Sequence, residues 1–173
     1  MSKTQLRFDS KIIDEIILEE EYKKILSCIQ CGTCTASCPS GRWSPLRTHK
    51  IIRKAQTGLE SVLSDEDIWL CTTCFNCLER CIRKIPVTEI LIKLRNIACE
   101  NGFMPYTLRA VVKNLLEQGH AVPLGDSNSI WIKLRKELDL NPIPPTIEKN
   151  LQKKLELDKI IDAIKFKLRI PYR

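Results

Sequence analysis

The chain has 173 residues, a formal charge of +7, nine cysteines and only two histidines. Its length suits one domain with an appended arm, and such a chain buries roughly 70% of its unfolded surface. Met1 to Gln5 lack the apolar core of a signal peptide. The longest apolar stretches, such as Ile12-Ile13 and Ile16-Ile17-Leu18, are short and broken by charge, so a cytoplasmic chain with no direct membrane span is expected.

In chain order, residues 12–27 set Ile12, Ile13, Ile16, Ile17, Ile25 and Leu26 among acids and lysines, the pattern of an amphipathic helix. It leads into the first cysteine run: Cys28, Cys31, Cys34 and Cys38, then Pro39. Ser44-Pro45 predicts a helix start, with Ser44 as N-cap and Pro45 at the first helical position. That helix carries Ile51 and Ile52 and stops at Gly58. Ser64-Asp65-Glu66-Asp67 predicts another start, its acids favoured by the helix dipole. The short helix that follows carries Ile68, Trp69 and Leu70 into the second run: Cys71, Cys74, Cys77 and Cys81. A third helix begins near Pro86, carries Ile90, Leu91, Leu94 and Ile97, and ends at Gly102. A fourth runs from Pro105 to Gly119 with Leu108, Val111, Val112, Leu115 and Leu116. Beyond it come a loop with Pro123, Gly125 and Asp126, the rigid Asn141-Pro142-Ile143-Pro144-Pro145 segment, and Thr146 as cap of a final helix through about Lys167. No stretch alternates over strand length.

Eight of the nine cysteines thus form two copies of one spacing, C-x2-C-x2-C-x3-C. This is the ligand run of a cubane [4Fe–4S] cluster, and two runs imply two clusters. Each iron takes a soft, deprotonated sulfur. Three cysteines at intervals of three wrap one cube; the fourth points away and, in two-cluster ferredoxins, ligates the other cube. By that rule the first cluster takes Cys28, Cys31, Cys34 and Cys81, and the second takes Cys71, Cys74, Cys77 and Cys38. The crossing makes the clusters staples between distant segments as well as redox centres. Structural zinc is the alternative metal, but zinc sites usually separate a pair of C-x2-C motifs by a long loop and do not need the further continuation. Disulfides belong to oxidising compartments, and reduced buried thiols leave the repeat unexplained. Cys99 lies outside both runs in an apolar helical pattern and reads as a small core residue.

The clusters also change the charge argument. Two oxidised cubanes with their thiolates would bring +7 down to about +3, a weak basis for nucleic acid binding. Lys133-Leu134-Arg135-Lys136 and Lys165-Phe166-Lys167-Leu168-Arg169 read as solvated helix faces or docking surface. His49 could donate near the first cluster or serve a plain surface or core role; His120 is a lone histidine. Trp43 and Trp69 could shield clusters or pack in the core. No Ser/His/Asp set, phosphate-binding glycine loop or dinucleotide fingerprint is visible.

Compact bacterial ferredoxins place their runs close together on a β-rich frame. Here 32 residues separate Cys38 from Cys71 and read as helices. The expectation is a mainly α protein: an N-terminal arm over 1–19, an α-helical ferredoxin-like domain for two clusters over 20–103, and a helical C-terminal extension for partner docking over 104–173. A tail with so many apolar side chains reads as ordered against a partner or the core.

The motif Cys71-Thr72-Thr73-Cys74-Phe75-Asn76-Cys77-Leu78-Glu79-Arg80-Cys81, followed by Ile85-Pro86-Val87-Thr88 and Leu94-Arg95, resembles the C subunit of the soluble heterodisulfide reductases of methanogenic archaea. So do Gly102-Phe103-Met104-Pro105 and Asn114 through His120. The resemblance covers most of the chain. One departure stands out: the family pattern has proline after the last cysteine of each run, but Cys81 is followed by Ile82. The resemblance implies two [4Fe–4S] clusters and no substrate site on this chain. It implies electron transfer from a flavin-containing A subunit to a catalytic B subunit, which cleaves the disulfide of coenzyme M and coenzyme B. In larger assemblies a hydrogenase or formate dehydrogenase joins and electrons bifurcate at the flavin. The rival within the same chemistry is an iron–sulfur protein like those of succinate or anaerobic glycerol-3-phosphate dehydrogenases. A rival of another class is a zinc-stabilised interaction module.

Overall fold

A computed structural model describes residues 7–118, 120–121, 129–142 and 151–163. Its α-helices are α1 (Ser10–Ile17), α2 (Thr33–Ala36), α3 (Thr48–Gln56), α4 (Asn76–Glu79), α5 (Val87–Glu100), α6 (Tyr106–Gln118), α7 (Ile130–Glu137) and α8 (Leu151–Ala163). Short 3-10 helices at Glu20–Ser27, Ser40–Arg42, Glu60–Val62 and Glu66–Leu70 join them. The protein is mainly α, as expected. Among the described residues, extended pairing amounts to one isolated antiparallel bridge between Phe8 and Leu59. The chain divides into two compact units, Met1–Phe103 and Met104–Arg173.

In the first unit α1 packs against α3 and α5. Its core joins Ile12 and Ile16 of α1, Ile51, Ile52 and Ala55 of α3, and Ile90, Leu91, Leu94 and Ile97 of α5. Each fully buried Ile or Leu contributes about 1.5–3 kcal/mol. Residues 10–17, assigned by the sequence to an N-terminal arm, therefore contribute two side chains to this core.

The helix expected over 12–27 is two elements. The stripe through Ile12 and Ile16 next reaches Glu19 and Glu20, whose charges cannot be buried there. Glu19 is extended (φ −87°, ψ 123°), and the 3-10 helix Glu20–Ser27 then brings Ile25 into the core. The helix expected from Ser44 begins at Thr48. Ser44 instead closes a turn: its hydroxyl donates to Ser40 O at 2.8 Å. Arg47 ties the same loop, donating to Gly41 O and Ser44 O at 3.0 Å each.

The stop at Gly58 is as expected, and it has a second cause. Gly58 has φ +65°, and a Cβ there would sit 2.7 Å from Asp9 O. The bare backbone lets the Asp9 amide donate to Gly58 O at 2.7 Å, anchoring the start of α1. Asp65 caps its element by accepting from the Asp67 amide at 3.0 Å, but the element is 3-10 rather than α.

In the second unit α6 begins at Tyr106, close to the expected start. Lys133-Leu134-Arg135-Lys136, expected as a solvated helix face or docking surface, lies in α7; Ser129 caps this helix, and Arg135 and Lys136 fill its last turn. The expected loop at Pro123, Gly125 and Asp126, the Ile143–Pro145 stretch of the rigid segment, the Thr146 cap, and the helix beyond Ala163 lie outside the described residues. So does Gly119. Among the described residues, no helix is long and apolar enough to cross a membrane.

Candidate metal centre

The two cysteine runs have one backbone, drawn twice with an offset of 43 residues. Each enters from a 3-10 helix into an extended first cysteine: Cys28 has φ −65° and ψ 119°, Cys71 has φ −70° and ψ 124°. The residue before the second cysteine has positive φ in both, Gln30 at 58° and Thr73 at 52°. So does the residue after it, Gly32 at 78° and Phe75 at 62°. A one-turn helix holds the third cysteine, α2 for Cys34 and α4 for Cys77. Thr35 and Ala36 amides donate to Gly32 O, as Leu78 and Glu79 amides do to Phe75 O. Left-handed residues on either side of a cysteine turn the chain back on itself, which lets three thiols at intervals of three face one point.

Each run is also pinned from behind at matched positions. Ile25 and Ile68, three residues before the first cysteines, are both fully buried. Their carbonyls accept from the long helix that follows each run. Gln56 Nε2 of α3 donates to Ile25 O at 3.3 Å and Leu26 O at 3.1 Å. Arg95 of α5 donates from Nε to Ile68 O at 2.9 Å and from Nη2 to Cys71 O at 2.5 Å. The Arg95 guanidinium also lies 5.7 Å from the centre of the Trp69 ring.

Cys28, Cys31, Cys34 and Cys81 line one cavity, with Gln30, His49, Ile52, Ile82 and Val87 among its walls. Cys81 thus joins the first three cysteines of the other run. α2 packs on α4, and Cys77 is near enough to Cys34 to add to its cost of ionising. On the other side Ser40 Oγ donates to Leu70 O at 2.7 Å, holding the loop after Cys38 against the residue before Cys71. Cys71 and Cys74 both act electrostatically on Cys77.

Several donors point at sulfur. Amides of Gly41, Thr73 and Ile85 lie 3.3, 3.5 and 3.4 Å from Cys38, Cys71 and Cys81 Sγ. Gln30 Nε2 donates to Cys28 Sγ at 3.3 Å. Cys31 Sγ and Thr33 Oγ1 are 3.4 Å apart, and this bond lowers the exposed Cys31 thiol's pKa. Cys77 Sγ and the buried Thr88 Oγ1 are 3.2 Å apart. Burial raises the Cys77 pKa, against the Thr88 bond, which lowers it. Burial pushes the Cys34 thiol up to about 11, with Cys77 and Cys28 adding to it.

The first set fits a cubane cluster: four thiols line one cavity, with N–H and O–H groups aimed at sulfur. Among the described residues, no three His, Cys, Asp or Glu side chains converge on a point that could hold a single metal ion. A cube spreads its ligands more widely than one zinc does, which draws its sulfurs to about 2.3 Å.

The missing proline after Cys81 has a local consequence. Pro39 presets the 3-10 turn Ser40–Arg42, and the sulfur of Cys38 accepts from an amide three residues on. After Cys81 the turn is one residue longer. Lys84 takes φ +52°, and the donor amide is that of Ile85, four residues on.

The other candidates fall as follows. His49 lines the cavity, its Nδ1 2.8 Å from Thr35 Oγ1, while its amide donates to the same oxygen at 3.0 Å. Trp69 packs on the core, whereas Trp43 is 92% exposed and packs in no core. Cys99 is half-buried in α5 and lies outside the cavity lining. Thr88, Arg95, Gln56 and Thr35 were given no role by the sequence. The available signal was a polar residue on an apolar stripe: Thr88 lies three residues before Leu91 and Arg95 four after it, on the face of α5 that enters the core.

A family model described as a 4Fe-4S dicluster domain matches residues 24–85. Helices and paired runs together define an α-helical ferredoxin-type iron–sulfur protein. The chain is 49% identical over 150 residues to the C subunit of the ferredoxin:CoB-CoM heterodisulfide reductase of Methanosarcina mazei, covering 87% of this chain and 91% of that protein. It is 43% identical over 179 residues to the C subunit of the H(2):CoB-CoM heterodisulfide,ferredoxin reductase of Methanothermobacter marburgensis, covering 98% and 95%. It is 42% identical to the iron-sulfur C 2 subunit of the CoB–CoM heterodisulfide reductase of Methanocaldococcus jannaschii, covering 93% and 91%. The chain belongs to the family of heterodisulfide reductase C subunits.

Proposed function

We propose that this chain is the electron-relay subunit of a cytoplasmic heterodisulfide reductase. In this reading it binds two [4Fe–4S] clusters, one on Cys28, Cys31, Cys34 and Cys81, the other on Cys71, Cys74, Cys77 and Cys38. It carries electrons from a flavin-containing A subunit to a catalytic B subunit, which reduces the heterodisulfide of coenzyme M and coenzyme B. A hydrogenase or formate dehydrogenase would feed the larger assembly. The observation that carries the reading is the interleaving of the runs: Cys81 stands among the first run's cysteines in one cavity wall. A crossed pair of that kind holds two redox centres close, as a relay needs.

The clusters supply one-electron redox chemistry when bound. The protein binds them through thiolates, aims N–H and O–H groups at the sulfurs, and excludes water with Ile52, Ile85 and Val87. The extension over 104–173 serves as docking surface. On α6, Leu108, Val111 and Leu115 remain partly exposed at positions that share one helix face.

Anaerobic purification tests both layers. Two cubanes require about eight irons and eight sulfides per chain; zinc in their place would refute the cluster reading. Mass spectrometry should find a flavoprotein and a cysteine-rich protein in stoichiometric amount. A different dehydrogenase or a membrane anchor would keep the clusters and overturn the partners.

A further inference from the structure

Thr88 is the fully buried hydroxyl beside the second run, at 0% exposure. It is the second residue of α5, and its Oγ1 lies 3.2 Å from Cys77 Sγ. A ligating thiolate has no proton to give, so the hydroxyl must be the donor. The first run also has a buried threonine, Thr48 at the start of α3. Cys34 is the counterpart of Cys77 in the repeat, and among the described residues the hydrogen bond to Cys34 comes from the Thr35 backbone rather than from a side-chain hydroxyl. The repeat therefore breaks here, at the most buried cysteine of the set.

We propose that Thr88 is a positioning residue that raises the reduction potential of the second-run cluster by donating a hydrogen bond to the Cys77 thiolate. This rests on the proposed ligation of that cluster by Cys77. On reduction one electron enters from a redox partner and no proton moves; Thr88 keeps its hydrogen throughout. The added charge spreads onto the sulfurs, so a fixed donor stabilises the reduced form more than the oxidised one. Burial strengthens the effect because no water competes for the sulfur. The side-chain donors at the first run are more exposed: Cys31 is solvent-accessible, and so its bond to Thr33 is shared with water.

The test is an EPR-monitored redox titration of the purified, fully loaded chain and its variants. The second-run signal is first assigned as the one that Cys74→Ala removes. Thr88→Val keeps the branched shape and deletes the donor. It should lower that midpoint by about 59 mV, a tenfold change in a one-electron equilibrium, and leave the first-run midpoint in place. Thr88→Ser restores the hydroxyl and should return the midpoint to the wild-type value. If valine hinders cluster loading, Thr88→Ala gives the same downward shift with a smaller side chain. An unmoved midpoint in the valine or alanine variant overturns the proposal. So does a serine variant shifted as far as valine, which would mean packing rather than the hydrogen bond. Both of those outcomes leave the cluster reading intact. Wild-type protein without two iron–sulfur signals would instead overturn the ligation beneath it.

Discussion

The two cysteine runs are the same loop built with different side chains. Backbone angles, the one-turn helix, the buried isoleucine behind and the carbonyl pinning all recur after 43 residues. Glycine supplies the left-handed turn at position 32, where phenylalanine does so at 75. A neutral amide, Gln56, pins the first run, and a guanidinium, Arg95, pins the second. Proline follows one run, and a longer turn follows the other. The backbone around the cysteines is what recurs, while the side chains that hold it differ between the runs.

The largest test of this pairing is the crossing itself. Cys38→Ser should remove the cluster of the second run and Cys81→Ser that of the first, each lowering iron from about eight to about four per chain. EPR of each variant would tell which signal is gone. If Cys38→Ser instead silences the first-run cluster, each run serves its own cube and the crossing is refuted.

The pinning side chains come next. Arg95→Gln leaves the carbonyls of Ile68 and Cys71 short of donors, and should cost about 1–3 kcal/mol. Gln56→Ala should cost about 1 kcal/mol, since its bond to Leu26 O is exposed. Denaturant melts of the loaded chain give both numbers. Equal losses would mean that the charge on Arg95 adds nothing.

At the left-handed position the two runs should respond oppositely. Gly32 has open space where a Cβ would go, so Gly32→Ala should cost only the φ penalty, about 1 kcal/mol. Phe75→Gly removes that penalty from the second run and should leave stability equal or higher. A loss above about 1 kcal/mol in Phe75→Gly would show that the ring, not the backbone, is what the second loop needs.

A last test concerns pH in the metal-free chain. Burial raises Cys34 from 9.0 to about 11, so the folded state holds a proton that the unfolded state releases first. The stability from this group is complete below pH 9 and is lost as pH rises towards 11. Urea melts at about pH 8 and about pH 10 should show the decline, and Cys34→Ser should flatten it. Cluster assembly runs the other way, because ligation needs the thiolate and releases the proton.

Much of this was legible in the linear chain. Helical period, Gly58 and Gly102 as stops, a start at Ser64-Asp65-Glu66-Asp67 and the repeated cysteine spacing are local signals, each decided by a few neighbouring residues. The break between Ile17 and Glu20 was also local, since the apolar stripe there runs into acids; the further apolar pair Ile25-Leu26 masks it. Ser44 misleads because a Ser-Pro pair starts a turn as readily as a helix, and Arg47 satisfies the carbonyls of that turn.

Residue type and spacing alone set the class of ligand, the number of thiols and the mainly helical frame, because soft sulfur chemistry and helical period depend on nothing more. Which distant groups reach those sulfurs was left to the packing of the helices. Thr88 meets Cys77 across 11 residues, His49 meets Thr35 across 14, and Arg95 meets Cys71 across 24. Each of those contacts exists because α3 and α5 bury their apolar faces against the rest of the core, and burial fixes where the remaining polar side chains on those helices must point.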